Sequence, residues 1–222
     1  MPEREVMGEY CLADSVYDKI KEKIHTLDFR PGQILQERAL AEMFETSRTT
    51  VRSAVQRLEC QGWLIVNSRK NLVVKDVTES DVNEIFAIRR LLEQEAIEAV
   101  FHKDITWDIS FRLEELVVRL RSVWDDHFEY MSSDQDFHGL IVSVLENGRL
   151  TRFYRTIREE FLRLGIMLRM SGTDKEEMLD AHMKIVHSIR AKDLHETMKN
   201  LTDHLEIGRI DTLQALEREK NI

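Results

Sequence analysis

Between Ser15 and Leu27, apolar side chains recur at Val16, Ile20, Ile24 and Leu27, the spacing of one helix face. Arg30-Pro31-Gly32 predicts its end. Gln36 to Phe44 predicts a short second helix with Ala39, Leu40 and Met43 inward, and Glu45-Thr46 a turn into a third. In that third helix Val51, Ala54, Val55 and Leu58 fall on one side at about 100° per residue, while Arg48, Thr49, Arg52 and Gln56 share the other. Ser47 suits its N-cap and Gly62 its stop.

Trp63-Leu64-Ile65-Val66 and Leu72-Val73-Val74 are β-rich runs joined by Asn67-Ser68-Arg69-Lys70-Asn71, a hairpin with a basic tip. Three helices and a hairpin in this order predict a winged helix-turn-helix over residues 1–77, with the helix from Arg48 as its recognition helix. From about residue 79 onward prolines are absent and the periodicity stays helical. Breaks near His102–Thr106, Asp125–Phe128, Asn147-Gly148, Ser171-Gly172-Thr173 and Lys192-Asp193 divide it into roughly six helices. Thr78-x-x-Asp81 is an imperfect capping box at the start. The fold class is mainly α, with residues 78–222 forming an all-α antiparallel helical bundle.

Charge sharpens this division. The 222 residues carry a net charge of −9, yet residues 1–77 sum to zero, so the excess lies wholly in residues 78–222. Residues 47–75 are locally basic, with a net charge of +5, and the local field is what a nucleic acid meets. Cys11 and Cys60 lack the close spacing of a redox pair or zinc knuckle, which points to reduced thiols in a cytoplasmic setting. No apolar run approaches 18 residues and the start is charged, so neither a membrane span nor a secretory signal is expected.

The helical half contains a pattern of ligand-type side chains. Asp134 and His138, four residues apart, share one helix face with Ile141 and Leu145. His182 is in register with Met178, Ile185 and Ile189, and His204 borders the stripe Leu194, Met198, Leu201 and Leu205. Unpaired buried polar groups are costly, and one divalent cation would offset all four. Three imidazoles and a carboxylate suit Zn²⁺, Ni²⁺ or another borderline first-row ion. The same spacing suits hydrogen-bonded core histidines, and both readings stand on sequence alone. His187 lies about 140° from His182 around its helix, and His195 about 180° from His204. Together with His25, His102 and His127 they are expected to be structural or solvent-facing.

These residues resemble a known family. The first 77 positions resemble the winged helix of the GntR family of bacterial transcription regulators through Pro31-Gly32, Glu37-Arg38-x-Leu40-Ala41, Ser47-Arg48-Thr49-Thr50-Val51-Arg52 and Leu58-Glu59-x-x-Gly62. Positions 78–222 are similar to the FCD effector domain of its FadR-type branch, through Ile88-Arg89-Arg90-Leu91-Leu92-Glu93, Asp134-x-x-Phe137-His138, Asn147-x-x-Leu150, His182 and Asp203-His204. The resemblance implies DNA contacts from Arg38, Arg48, Thr49, Thr50 and Arg52, and metal ligation by Asp134, His138, His182 and His204. One departure stands out: relatives usually carry glycine at the wing tip, where this chain has Ser68-Arg69-Lys70. Asn67 and Asn71 suit the turn, and Arg69 or Lys70 can enter a minor groove.

The expectation is a homodimeric regulator of transcription that binds palindromic double-stranded operator DNA and responds to a small carboxylate effector at the metal. Arg89 pairs with Glu93 at i+4 or anchors the effector's carboxylate. The alternatives are a metal sensor, an acyl-thioester-responsive regulator and, from a different class, a metal-dependent hydrolase. No nucleophile motif accompanies the ligands, and a hydrolase has no use for a winged helix.

Overall fold

The computed structural model describes residues 3–67, 71–169 and 174–220. The chain divides into two compact units, Met1–Val77 and Thr78–Ile222.

In the first unit, α1 runs Glu3–His25. It starts well before the expected Ser15, since no proline interrupts the chain between Pro2 and Pro31. It also ends two residues early. Leu27 takes a left-handed φ of 60°, and the Phe29 amide returns to Lys23 O at 2.8 Å.

Helix α2 spans Glu37–Met43 and α3 Arg48–Cys60. In α2 the buried residues are Leu40 and Ala41, whereas Ala39 and Met43, expected inside, are exposed. The inward stripe runs instead through Glu37, Leu40, Ala41 and Phe44, the i, i+3, i+4, i+7 set. In α3 the apolar face is as read: Val51, Ala54, Val55 and Leu58 are buried. Ser47 caps it, its Oγ accepting from the Thr50 amide at 3.1 Å, and Gly62 turns the chain at φ 74°.

Strands β1 (Ile34–Leu35), β2 (Leu64–Val66) and β3 (Leu72–Val74) form an antiparallel sheet in the order β1-β3-β2. The pairing Ile65↔Val73 sets the hairpin register. Its neck is closed by Asn67 N to Asn71 O, and by the Asn71 amide donating to Asn67 Oδ1, both at 3.0 Å. The two-residue β1 was invisible to periodicity. It exists because Leu35 joins a core with Ile20, Leu40, Leu58 and Leu64.

The second unit is a bundle of α4 (Glu79–His102), α5 (Thr106–Ser122), α6 (His127–Ser143), α7 (Gly148–Arg169), α8 (Lys175–Arg190) and α9 (Leu194–Lys220). Thr78 and Asp81 complete a reciprocal capping box at the head of α4, an Asp serving where Glu is usual. Helix α4 packs on α9, α5 on α8, α6 on α7 and α8 on α9. Three faces carrying Asp134, His138, His182 and His204 therefore meet inside one bundle. No helix among the described residues is long and apolar enough to cross a membrane.

Candidate metal centre and nucleic-acid-binding face

Helix α6 contributes Asp134 and His138, one turn apart; α8 contributes His182 and α9 His204. All four side chains are buried, and one ligand atom from each lies within 4.8 Å of the others. His182 Nε2 is 3.2 Å from Asp134 Oδ1, His138 Nε2 is 3.9 Å from that oxygen, and His204 Nε2 is 3.1 Å from His138 Nε2.

Hydrogen-bond partners decide which nitrogens carry protons. His182 Nδ1 faces Met178 O at 2.9 Å, and a carbonyl can only accept, so Nδ1 is the donor and Nε2 is the nitrogen turned to the cluster. That nitrogen faces a carboxylate oxygen yet makes no hydrogen bond. His138 Nδ1 lies 2.7 Å from Glu93 Oε2, which again leaves Nε2 as an acceptor. Lone pairs converging in a buried space repel one another unless a proton, as between His204 Nε2 and His138 Nε2, or a cation sits among them. The set is a cluster capable of coordinating a metal ion, with both Nδ1–H groups anchored as metal-bound histidines are.

Ionisation suits the same purpose. Burial, reinforced by Arg89, lowers the pKa of His138. Burial, with His182 and His138 next, holds His204 well below the ordinary histidine range. Burial alone would raise Asp134, but His138, His182 and Arg89 outweigh it and keep the group a carboxylate. Neutral imidazoles and an ionised carboxylate are the forms that bind a cation.

Glu93 is the functional residue that sequence reasoning passed over. In the sequence it stood as the i+4 partner of Arg89 and as the last residue of the Ile88–Glu93 motif, with no link to the histidines. In the fold it bridges, taking Arg89 Nε at 2.9 Å on Oε1 and His138 Nδ1 on Oε2. Arg89 is itself buried, stacked over Phe161 with its guanidinium 4.2 Å from the ring centre. Its Nη2 is buried without a hydrogen-bond partner. The other five histidines fall where expected: His102, His127, His187 and His195 are exposed, and His25 is buried 5.0 Å from the Trp63 ring.

On the first unit, Arg48 and Thr49 are exposed at the start of α3. Arg52 is exposed too, but its guanidinium holds Glu37 through Nε at 3.2 Å and Nη2 at 2.9 Å. Arg38 pairs with Glu42 at 2.9 Å. Thr50, expected to touch DNA, is buried, with its hydroxyl 2.7 Å from Ser47 Oγ. Arg69 and Lys70 lie outside the described residues.

Residues 84–207, more than half the chain, match the FCD domain, and residues 12–74 match the bacterial regulatory proteins of the gntR family. The chain belongs to the GntR family, in its FCD branch. As a GntR/FCD protein it is a ligand-responsive transcription regulator and not an enzyme. It is 28% identical over 194 residues to the HTH-type regulator YdhC of Bacillus subtilis, covering 85% of each chain. It is also 28% identical over 190 residues to the gluconate operon transcriptional repressor of B. subtilis, covering 79% of this chain and 77% of that one. Among solved structures, a putative GntR regulator from Rhodococcus sp. RHA1 superposes with a TM-score of 0.74 at 20% identity, covering 91% of this chain and 98% of that one. E. coli McbR/YncC gives 0.69 at 21%, covering 91% and 97%. These two likenesses show the shared fold.

Proposed function

We propose that this GntR/FCD regulator binds palindromic operator DNA as a homodimer, and that a small organic acid bound at a Zn²⁺ or Ni²⁺ centre controls that binding. The observation that carries the reading is the convergence of Asp134, His138, His182 and His204 on one buried point, beside the unsatisfied Nη2 of Arg89. When bound, the cation supplies a positive site for an oxygen of the acid, and six-coordinate geometry leaves positions open beyond the four protein ligands. Arg89 would hold the acid's carboxylate through Nη2, its Nε being committed to Glu93. Similarity to the repressor of a gluconate operon is in keeping with control by an acid.

Two recognition helices would read the half-sites. Arg48 and Arg52 are the candidates for guanine, Arg38 for phosphates, Thr49 and Thr50 for contacts at the helix start, and Arg69 and Lys70 for the minor groove. Thr50 could act only by giving up its bond to Ser47. Arg52 must likewise exchange Glu37 for a base. The acid changes DNA affinity only as far as it binds the two arrangements of the dimer unequally.

The test is metal analysis of the purified full chain, followed by operator titrations with a panel of small carboxylic acids before and after chelation. Metal at one ion per chain and an acid-dependent change of affinity that chelation abolishes are expected. Metal-loaded protein whose operator affinity ignores every acid would overturn the reading.

A further inference from the structure

We propose that the outward face of α5 is where two copies of this chain pair, their α5 helices running antiparallel about a two-fold axis. This rests on the homodimer reading above and names its contact. Helix α5 is apolar on two opposite sides. Ile109, Leu113, Val117 and Leu120 are buried in the bundle, whereas Trp107, Phe111 and Val118 are 66%, 55% and 66% exposed. At 100° per residue those three fall within about 40° of arc on the far side. A helix with a second apolar stripe, rimmed by charged residues, has a second surface to cover. Trp and Phe are also residue types that gather at the core of protein interfaces.

Charge identifies the occupant. Along one shoulder of the stripe run Asp108, Arg112, Glu115 and Arg119, all exposed. Their signs alternate and their spacings are four, three and four residues, so the row taken in reverse is the same row with every sign inverted. A two-fold contact sets residue i against j and j against i. With the axis level with the midpoint between Leu113 and Glu114, Asp108 comes level with Arg119 of the second copy, and Arg112 with its Glu115. An axis perpendicular to both helices also keeps the two charged shoulders on the same side. The same centring sets Val118 of one copy level with the gap between Trp107 and Phe111 of the other, a knob facing a hole. The apolar and ionic registers agree.

Within one chain these charges stay available. Asp108, Arg112 and Glu115 make no ion pair among the described residues, either along α5 or to a neighbouring helix. Arg119 lies 3.5 Å from Glu129 and from Asp136 on α6, and a guanidinium has five donors to share. Glu114 interrupts the stripe close to the two-fold axis, where it would meet its own mate. Its charge is taken up by Arg190 of α8 at 2.5 Å, and that guanidinium also covers the Trp107 ring, 5.6 Å from its centre.

The experiment is sedimentation equilibrium of the full-length chain, with a thermal melt of each variant to show that it folds. The unaltered protein is expected to be a dimer. Val118→Arg puts a cation into each apolar contact, and Arg112→Glu sets like charges level with one another, so each should weaken the dimer about tenfold or more. Adding Glu115→Arg to Arg112→Glu turns those pairs round together and should return the dissociation constant to within about threefold of the unaltered value. A dimer that Val118→Arg and Arg112→Glu leave undisturbed, or a charge reversal that fails to restore it, overturns the α5 contact and leaves the homodimer reading standing. An unaltered chain that sediments as a monomer sinks both.

Discussion

His138 Nδ1 lies 2.7 Å from Glu93 Oε2, with neither side chain accessible to solvent, so a residue of α4 sets the tautomer of a metal-ligand candidate on α6. Glu93→Gln keeps the shape but loses the charge that orients the imidazole. Metal affinity is expected to fall about 10–100-fold, the usual cost of losing an outer partner of a ligating histidine. Competition with a chromophoric chelator measures it, and unaltered affinity would remove Glu93 from the site.

Metal removal should lower the thermal stability of the protein. A cation that binds only the folded chain adds about 4 kcal/mol at a thousand times its dissociation constant. Melting with and without a chelator should separate the two forms, and His182→Ala should melt at the same temperature in both. A chelator-sensitive midpoint in that variant would place the cation elsewhere.

On the DNA face, Arg48 and Arg52 differ in what they give up on binding. Arg48→Ala should cost about 1–3 kcal/mol of operator affinity and relax specificity at one position. Glu37→Gln frees Arg52 from its ion pair, so non-specific DNA binding should tighten and depend more steeply on salt. Fluorescence anisotropy across a salt series reads both effects.

His25 makes the folded state sensitive to acid. Burial, with a lesser contribution from Lys21, lowers its pKa from 6.5 to about 4. Between those values the unfolded chain holds a proton that the folded chain does not, so stability is full above pH 6.5 and is lost as pH falls toward 4. The difference amounts to about 3 kcal/mol. Urea denaturation at pH 7.5 and pH 4.5 should show that loss, and His25→Gln should flatten the slope. An unchanged slope in the variant would assign the acid sensitivity to other groups.

The cap at Ser47, the apolar stripe of α3 and the capping box at Thr78 were all legible in the sequence because each depends on neighbours a few residues away. The four ligand candidates were legible for the same reason: Asp134, His138 and His182 sit on, and His204 borders, an apolar stripe where an ionisable group is out of place. Misreadings arose where distant packing decides. Ala39 and Met43 fit a helical period, but α2 turned another face inward. The early start of α1 lay in a charged stretch, Glu3-Arg4-Glu5, that reads as a polar start.

Local spacing by itself determined a winged helix-turn-helix followed by a helical bundle, and which residues could ligate a cation. Periodicity and capping are short-range properties that the order of residues carries directly. Only the tertiary structure decided that Asp134, His138, His182 and His204 converge, that Glu93 orients His138, and that Arg52 is held by Glu37 and Thr50 by Ser47. Those relationships depend on which side chains from separate helices come within hydrogen-bonding distance, and packing alone settles that.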